Sequence, residues 1–187
     1  MTESTSKGKF ITFEGIDGCG KTTQAEKLLE LLEKKELSIS FIREPGGDPI
    51  SESIRKLLLH AEESMSDRAE ALLMVASRAQ LTDKVILPHL LNGRWVIGDR
   101  YADSTLAYQH YGMGVDLKII KTINNFLLKK IKVNFTFLNI VNKKNLFQRL
   151  KNRKSLNRYD QFDINFYNKV QKGFLKLAKS RKKSYKI

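Results

Sequence analysis

Cysteine is almost absent from this chain: Cys19 is the single one in 187 residues. One cysteine cannot close an internal disulfide, so a reducing, cytoplasmic setting is expected. Long apolar runs are missing as well. No stretch approaches the ~20 residues of a membrane span, and the opening MTESTSKGK is short and polar. Neither a membrane segment nor a secretory leader is therefore expected. Internal repeats and Gly/Ser-rich linkers are also lacking, and residues 1–187 read as one domain, long enough to bury a real core. A hydrophobic content of 41% beside 29% charged residues excludes a disordered chain.

Acidic residues are scarce in one region. Residues 119–187 hold 19 Lys and Arg against 2 Asp and Glu, a net +17, while residues 1–118 hold 15 against 18, a net −3. Such a basic third can mark a nucleic-acid surface. It can equally be a solvated face in a Lys- and Asn-rich segment, partly serving phosphates. The density of asparagine there (Asn124, Asn125, Asn134, Asn139, Asn142, Asn145) favours the second reading.

What is present is an alternation of strand and helix patterns. KFITFE (9–14), SISFIRE (38–44), WVIGD (95–99) and VNFTFLNI (133–140) read as strands. Ala25, Leu28, Leu29 and Leu32 fall at i, i+3, i+4 and i+7 and predict a helix over 22–35. Further helices are predicted over 50–60, 117–130, 143–151 and 162–180. A long one over 67–91 is expected to be capped by Asp67 and kinked near Pro88. This order calls for an α/β fold, a parallel β-sheet flanked by helices on both faces, with ligands at the carboxyl ends of the strands.

GIDGCGKT (15–22) stands between the first strand and the first helix. It is G-x-x-x-x-G-K-T, a pattern expected by chance in under ~1% of chains of this size. Its glycines let backbone N–H groups converge on phosphates, and the following helix adds positive potential. Gly15, Ile16, Asp17, Gly18, Cys19, Gly20, Lys21 and Thr22 are the candidate nucleotide-binding residues. Lys21 should reach the β- and γ-phosphates and the Thr22 hydroxyl should ligate Mg²⁺. Asp17 is either a turn former or a carboxylate that meets a Mg²⁺-bound water or a donor on a second substrate. Cys19 is expected to fit a tight loop, and if accessible its alkylation should block nucleotide binding.

Two more strand ends carry chemistry. REPGG (43–47) is either an ordinary turn with a surface salt bridge or part of a site. DRY (99–101) places Asp99 where it could hold a Mg²⁺ water and Arg100 where it could clamp a phosphoryl oxygen, unless the two simply pair with each other.

Together these residues resemble the bacterial-type thymidylate kinases, within the phosphate-loop nucleoside monophosphate kinases. The matching stretches are FITFEGIDGCGKTTQAEKL, IREPGGDPISESIRKLLL, EALLMVASRAQL, WVIGDRYADSTLAYQ and, more weakly, FYNKVQKGFLKLA. The resemblance implies transfer of the γ-phosphoryl of ATP, with Mg²⁺, to dTMP, giving dTDP and ADP. It implies catalytic roles for Asp17, Lys21 and Arg100. It places Arg43, Glu44 and Pro45 on the acceptor side, Met74 against the base, Arg78 reading it, and Thr105, Tyr108 and Gln109 on the nucleoside wall. It also implies a basic lid over about residues 149–163 and a homodimer joined through the long helices. Some members carry an arginine in the phosphate loop where this chain has Gly18. The lid should then supply it, from Arg149, Arg153 or Arg158, with Arg153 the first choice.

The chain departs from the family pattern at several positions. Met74 stands where Phe is usual, Asn157 precedes Arg158 in place of Asp, and the fourth strand lacks its usual acidic ends. The family continues past the last helix with a strand, a turn and a further helix, whereas this chain stops at KSRKKSYKI. A shortened C-terminus and a bare sheet edge are expected. Two alternatives follow: a truncated, weakly active or less selective nucleoside monophosphate kinase, and, less favoured, a nucleic-acid-binding protein.

Overall fold

The computed structural model of the chain describes residues 8–128, 131–151 and 157–187. Strand β1 (Phe10–Glu14) shows how the layers arise. Its alternate residues point to opposite faces. Ile11 and Phe13 meet helix α1 (Lys21–Glu33) through the predicted stripe of Ala25, Leu28, Leu29 and Leu32. Phe10 points the other way, into a cluster with Leu81, Ile86 and Val96. Strands β2 (Ile39–Arg43), β3 (Trp95–Asp99), β4 (Phe135–Leu138) and β5 (Tyr185–Lys186) complete an all-parallel sheet in the order β2-β3-β1-β4-β5. The chain leaves β1 towards β3 and β2, then crosses back to β4 on the other side. That reversal opens a crevice at the carboxyl end of β1, where the phosphate loop lies.

The helices are set by local chemistry. Asp48 caps α2 (Pro49–His60), accepting from the N–H groups of Ile50 and Ser51. The cap of α3 (Asp67–Leu81) is Ser66, whose hydroxyl accepts from Ala69 N–H, and not Asp67 as expected. Asp67 instead sits in the first turn, where its charge suits the helix dipole. The expected kink near Pro88 takes the form of a π-helical turn, Thr82–Ile86, leading into α4 (Leu87–Leu91). Proline has no N–H to donate and crowds the carbonyl four residues back, and the wider turn accommodates both.

The stretch after β3, to which the sequence pattern assigns no element, forms α5 (Ala102–Thr105) and a second π-helical turn, Leu106–Gly112. It packs on α8 (Ile164–Ser180) through Tyr108, Phe166, Val170 and Phe174. Gly173 permits that approach, since a Cβ there would lie 2.5 Å from the Tyr111 ring. Helices α6 (Leu117–Leu128) and α7 (Lys143–Lys151) follow the predicted positions, the expected end of the former at residue 130 falling outside the described residues. The edge of β4 is not bare. After α8 the chain returns to the sheet, and β5 pairs with β4 through Thr136↔Tyr185 and Phe137↔Lys186.

Candidate active site

Two clefts adjoin at the carboxyl end of the sheet. The larger, about 1420 Å³ counted to its mouth, is lined by the phosphate loop from Asp17 to Thr22 and on to Gln24, with Arg43, Asp99, Asn139 and Arg149. The loop is compact because Gly15 adopts φ 142° and leaves no room for a side chain: a Cβ would sit 2.4 Å from the Asn139 carbonyl. Lys21 opens α1 and is buried. The Thr22 hydroxyl donates to Asp99 Oδ2 at 2.5 Å, and Asp99 Oδ1 is buried with no partner among the described residues. Asp99 and Arg100 do not pair with each other: Asp99 accepts from Thr22, and Arg100 donates to Asp17.

The smaller cleft, about 570 Å³, is lined by residues from six separate segments, among them Pro45, Met74, Arg78, Thr105, Tyr108 and Gln109. Here burial is extreme. Arg78 is 2% exposed, and its guanidinium donates to Glu44 Oε2 (2.8 Å), the Tyr101 carbonyl (3.1 Å) and Asn124 Oδ1 (3.3 Å). A guanidinium has five N–H groups, so at least one on Nη1 is left for a ligand. Burial pushes the Glu44 carboxyl up, against the pull of Arg78. Thr105 Oγ1 and Glu44 Oε1 are buried without partners among the described residues. Gln109 lines the cleft while donating to the buried Glu70.

Four residues line both clefts: Asp17, Glu44, Arg55 and Arg100. Arg100 holds the left-handed conformation, φ 75°, which costs a non-glycine residue about 1–3 kcal/mol. Its side chain over-determines that conformation. Nη1 donates to the Gly15 carbonyl (2.8 Å) and to Ser104 Oγ (3.1 Å), and Nη2 donates to Asp17 Oδ1 (2.8 Å) and Tyr108 Oη (3.2 Å). The Tyr108 hydroxyl donates in turn to Asp17 Oδ2 at 2.8 Å. Burial alone would raise the Asp17 carboxyl, but Arg100 and Lys21 outweigh it and hold it below the ordinary range, so Asp17 is ionised.

The remaining candidates fall as follows. Arg43 forms a largely exposed ion pair with Glu52 at 3.1 Å while lining the larger cleft. Among the arginines expected to supply the lid, Arg149 lies on α7 and donates from Nη1 to the Gly18 carbonyl at 2.8 Å. Arg158 instead pairs with Glu70, beneath the smaller cleft. Arg153, the first choice, lies outside the described residues. Cys19 is 7% exposed, and burial raises its thiol pKa, so the accessibility that ready alkylation requires is missing.

Sequence reasoning assigned no role to Arg55, although its helix lies within a matching stretch. Its signal is positional: it sits on the helix that starts right after REPGG, and its Nη1 donates back to the Pro45 carbonyl at 2.7 Å. Ser104, which accepts from Arg100, was also missed, because a serine in a helix carries no spacing signature.

The thymidylate kinase family profile matches residues 13–187. The thymidylate kinase of Carboxydothermus hydrogenoformans is 41% identical over 176 residues, 94% of this chain and 87% of that protein. That of Prochlorococcus marinus is 43% identical over 183 residues, 94% and 85% respectively. The crystal structure of thymidylate kinase from Ehrlichia chaffeensis aligns with a TM-score of 0.81 at 34% identity, covering 96% of this chain and 91% of that one.

Proposed function

The chain belongs to the thymidylate kinase family, and from that premise we propose how its two clefts divide the work of phosphorylating dTMP with ATP. The enzyme is an ATP-dependent dTMP kinase: it moves the γ-phosphoryl of ATP to the 5′-phosphate of dTMP, giving dTDP and ADP. In the proposed division ATP takes the larger cleft and dTMP the smaller one. The observation that carries this assignment is the junction, where two arginines, Arg55 and Arg100, face both clefts at once.

The acceptor phosphate is already an anion near neutral pH, so no general base is required. Catalysis is positioning together with charge neutralisation between two polyanions. Lys21 and the loop N–H groups hold the β- and γ-phosphates. Arg100 bridges donor and acceptor oxygens, with Arg55 beside it. Arg43, Glu44 and Pro45 shape the acceptor side. On the nucleoside side, the free N–H of Arg78 meets the base, Met74 packs on its face, and the unpartnered Thr105 hydroxyl and Gln109 complete the wall. Ionised Asp17 exchanges its bonds to Arg100 and Tyr108 for a donor on the sugar, and the Tyr108 ring disfavours a ribose 2′-hydroxyl.

Mg²⁺ fits this donor set: Thr22 Oγ1 and the unpartnered Asp99 Oδ1 would hold it with bound water, and it would screen the charge of the ATP phosphates. Arg153 from the lid, with Arg149 already on the phosphate loop, adds positive charge over the donor. A lid closed over ATP excludes water and favours transfer over hydrolysis. We place the enzyme in the cytoplasm as a homodimer. Leu72 on α3 and Ile119 and Phe126 on α6 are more than half exposed on neighbouring helices, apolar surface that a second copy would cover.

A coupled assay of ADP release with dTMP, dUMP, dCMP and dGMP tests the assignment. Turnover should be fastest with dTMP, and no turnover with dTMP overturns it.

A further inference from the structure

Asp103 has no assigned part in the reaction, yet it is 8% exposed and both its oxygens are engaged. Arg181 Nη2 donates to Oδ1 at 2.6 Å, and the Tyr185 hydroxyl donates to Oδ2. Both donors come from the far end of the chain. Arg181 follows the last turn of α8, and Tyr185 is the first residue of β5, fixed opposite Thr136 by the sheet register. The Arg181 guanidinium also lies 5.1 Å from the Tyr185 ring centroid, so the two donors brace each other.

The next residue of α5, Ser104, donates to Glu14 Oε2 at 2.6 Å and accepts from Arg100 Nη1 at 3.1 Å. Glu14 Oε1 accepts from the Tyr101 N–H at 2.9 Å. Asp103 and Ser104, adjacent on a four-residue helix, thus connect the C-terminal strand to the arginine at the junction of the clefts. Burial and then the charge of Asp103 raise the Glu14 carboxyl to about 8, so the charge on Asp103 is felt inside this chain of bonds.

We infer that Arg181 and Tyr185 are positioning residues: by clasping Asp103 they fix the α5 turn, and through Ser104 and Glu14 they aim Arg100 at the transferred phosphoryl. The clasp works from outside both clefts, since Asp103, Arg181 and Tyr185 line neither. It also holds a residue in a strained backbone conformation, where a small rotation of α5 displaces a guanidinium whose placement sets the rate. A displacement of about 1 Å can cost up to ~100-fold. The inference rests on the proposed role of Arg100.

The test uses the full-length enzyme. Arg181 is 43% exposed in its side chain, so Arg181→Ala removes one arm of the clasp without opening the core. The variant should lose about 10-fold in kcat with KM for ATP and dTMP within about twofold, and Arg181→Lys should restore most of it. Tyr185→Phe, which keeps the ring, should lose roughly threefold in kcat. Arg100→Ala should be far slower, and adding Arg181→Ala to it should cost nothing more, because the clasp acts only through Arg100.

An Arg181→Ala enzyme with unchanged kcat, or a loss that adds fully to that of Arg100→Ala, overturns the inference. If Arg181→Ala does not fold, Tyr185→Phe decides, and an unchanged kcat there overturns it. Failure of the Arg100 assignment itself is distinguishable: Arg100→Ala would then retain wild-type kcat, removing both readings, whereas an inactive Arg100→Ala beside a fully active Arg181→Ala removes only the clasp.

Discussion

The two clefts are built in opposite ways. The larger takes its floor from eight consecutive residues, and its shape comes from backbone: positive-φ glycines, converging N–H groups and the start of α1. The smaller is assembled from distant segments and held by buried side-chain bonds, Arg78 to Glu44 and Gln109 to Glu70. A backbone cradle needs little support from elsewhere. A cleft made of charged side chains needs every partner in place, because an unpaired charge in such a site is expensive.

The difference can be broken from either side. The largest effect belongs to Lys21→Ala: kcat/KM for ATP should fall about 10³-fold or more, while calorimetric dTMP affinity stays within about threefold. Equal loss of dTMP binding would mean that the clefts are not separable. Arg78→Ala should strike stability as well as activity. It strands Glu44 in the interior at a cost of about 3–5 kcal/mol, readable in urea unfolding, and adding Glu44→Gln should recover much of that loss. Arg55→Ala should leave the melting temperature within a few degrees and lower kcat about 100-fold, and unchanged kcat would place Arg55 outside the junction.

A smaller effect concerns pH. Glu14 is raised to about 8 in the folded protein, so the native state retains a proton that the unfolded chain gives up near the ordinary carboxylate range. Its contribution is complete below about pH 4.5 and is lost as pH rises through about 8. Wild-type thermal stability should therefore decline over this window more steeply than that of Glu14→Gln, and parallel curves would refute the assignment. The smallest effect is Met74→Phe, which should lower KM for dTMP two- to fivefold by adding a rigid aromatic face, worth about 0.5–1 kcal/mol.

The same contrast explains what could be read without coordinates. The backbone cleft was legible because GIDGCGKT is contiguous and its physics depends on glycine and spacing. The parallel sheet was legible from the alternation of strands and helices, and β3 falls on the predicted residues 95–99. Arg55 was not legible, since a helical arginine looks the same whether it faces solvent or a phosphate. The segment 102–112 was missed because a four-residue helix running into a wider turn has no clean 3.6-residue period. The strand at Tyr185–Lys186 was missed because two residues carry no alternation at all, and its register is visible only against β4.

The strand order also sets a schedule for folding. β1 and β2 are synthesised first, but they are not neighbours in the sheet; each pairs with β3. Until Trp95 to Asp99 emerge from the ribosome, Phe10 and Ile42 have no ladder to join. Long-range pairing of this kind is slow and leaves apolar segments waiting. The strand that ends in Asp99 is thus the piece around which the sheet is assembled. A nascent chain halted before it should leave β1 open to proteolysis, and one carried past it should not.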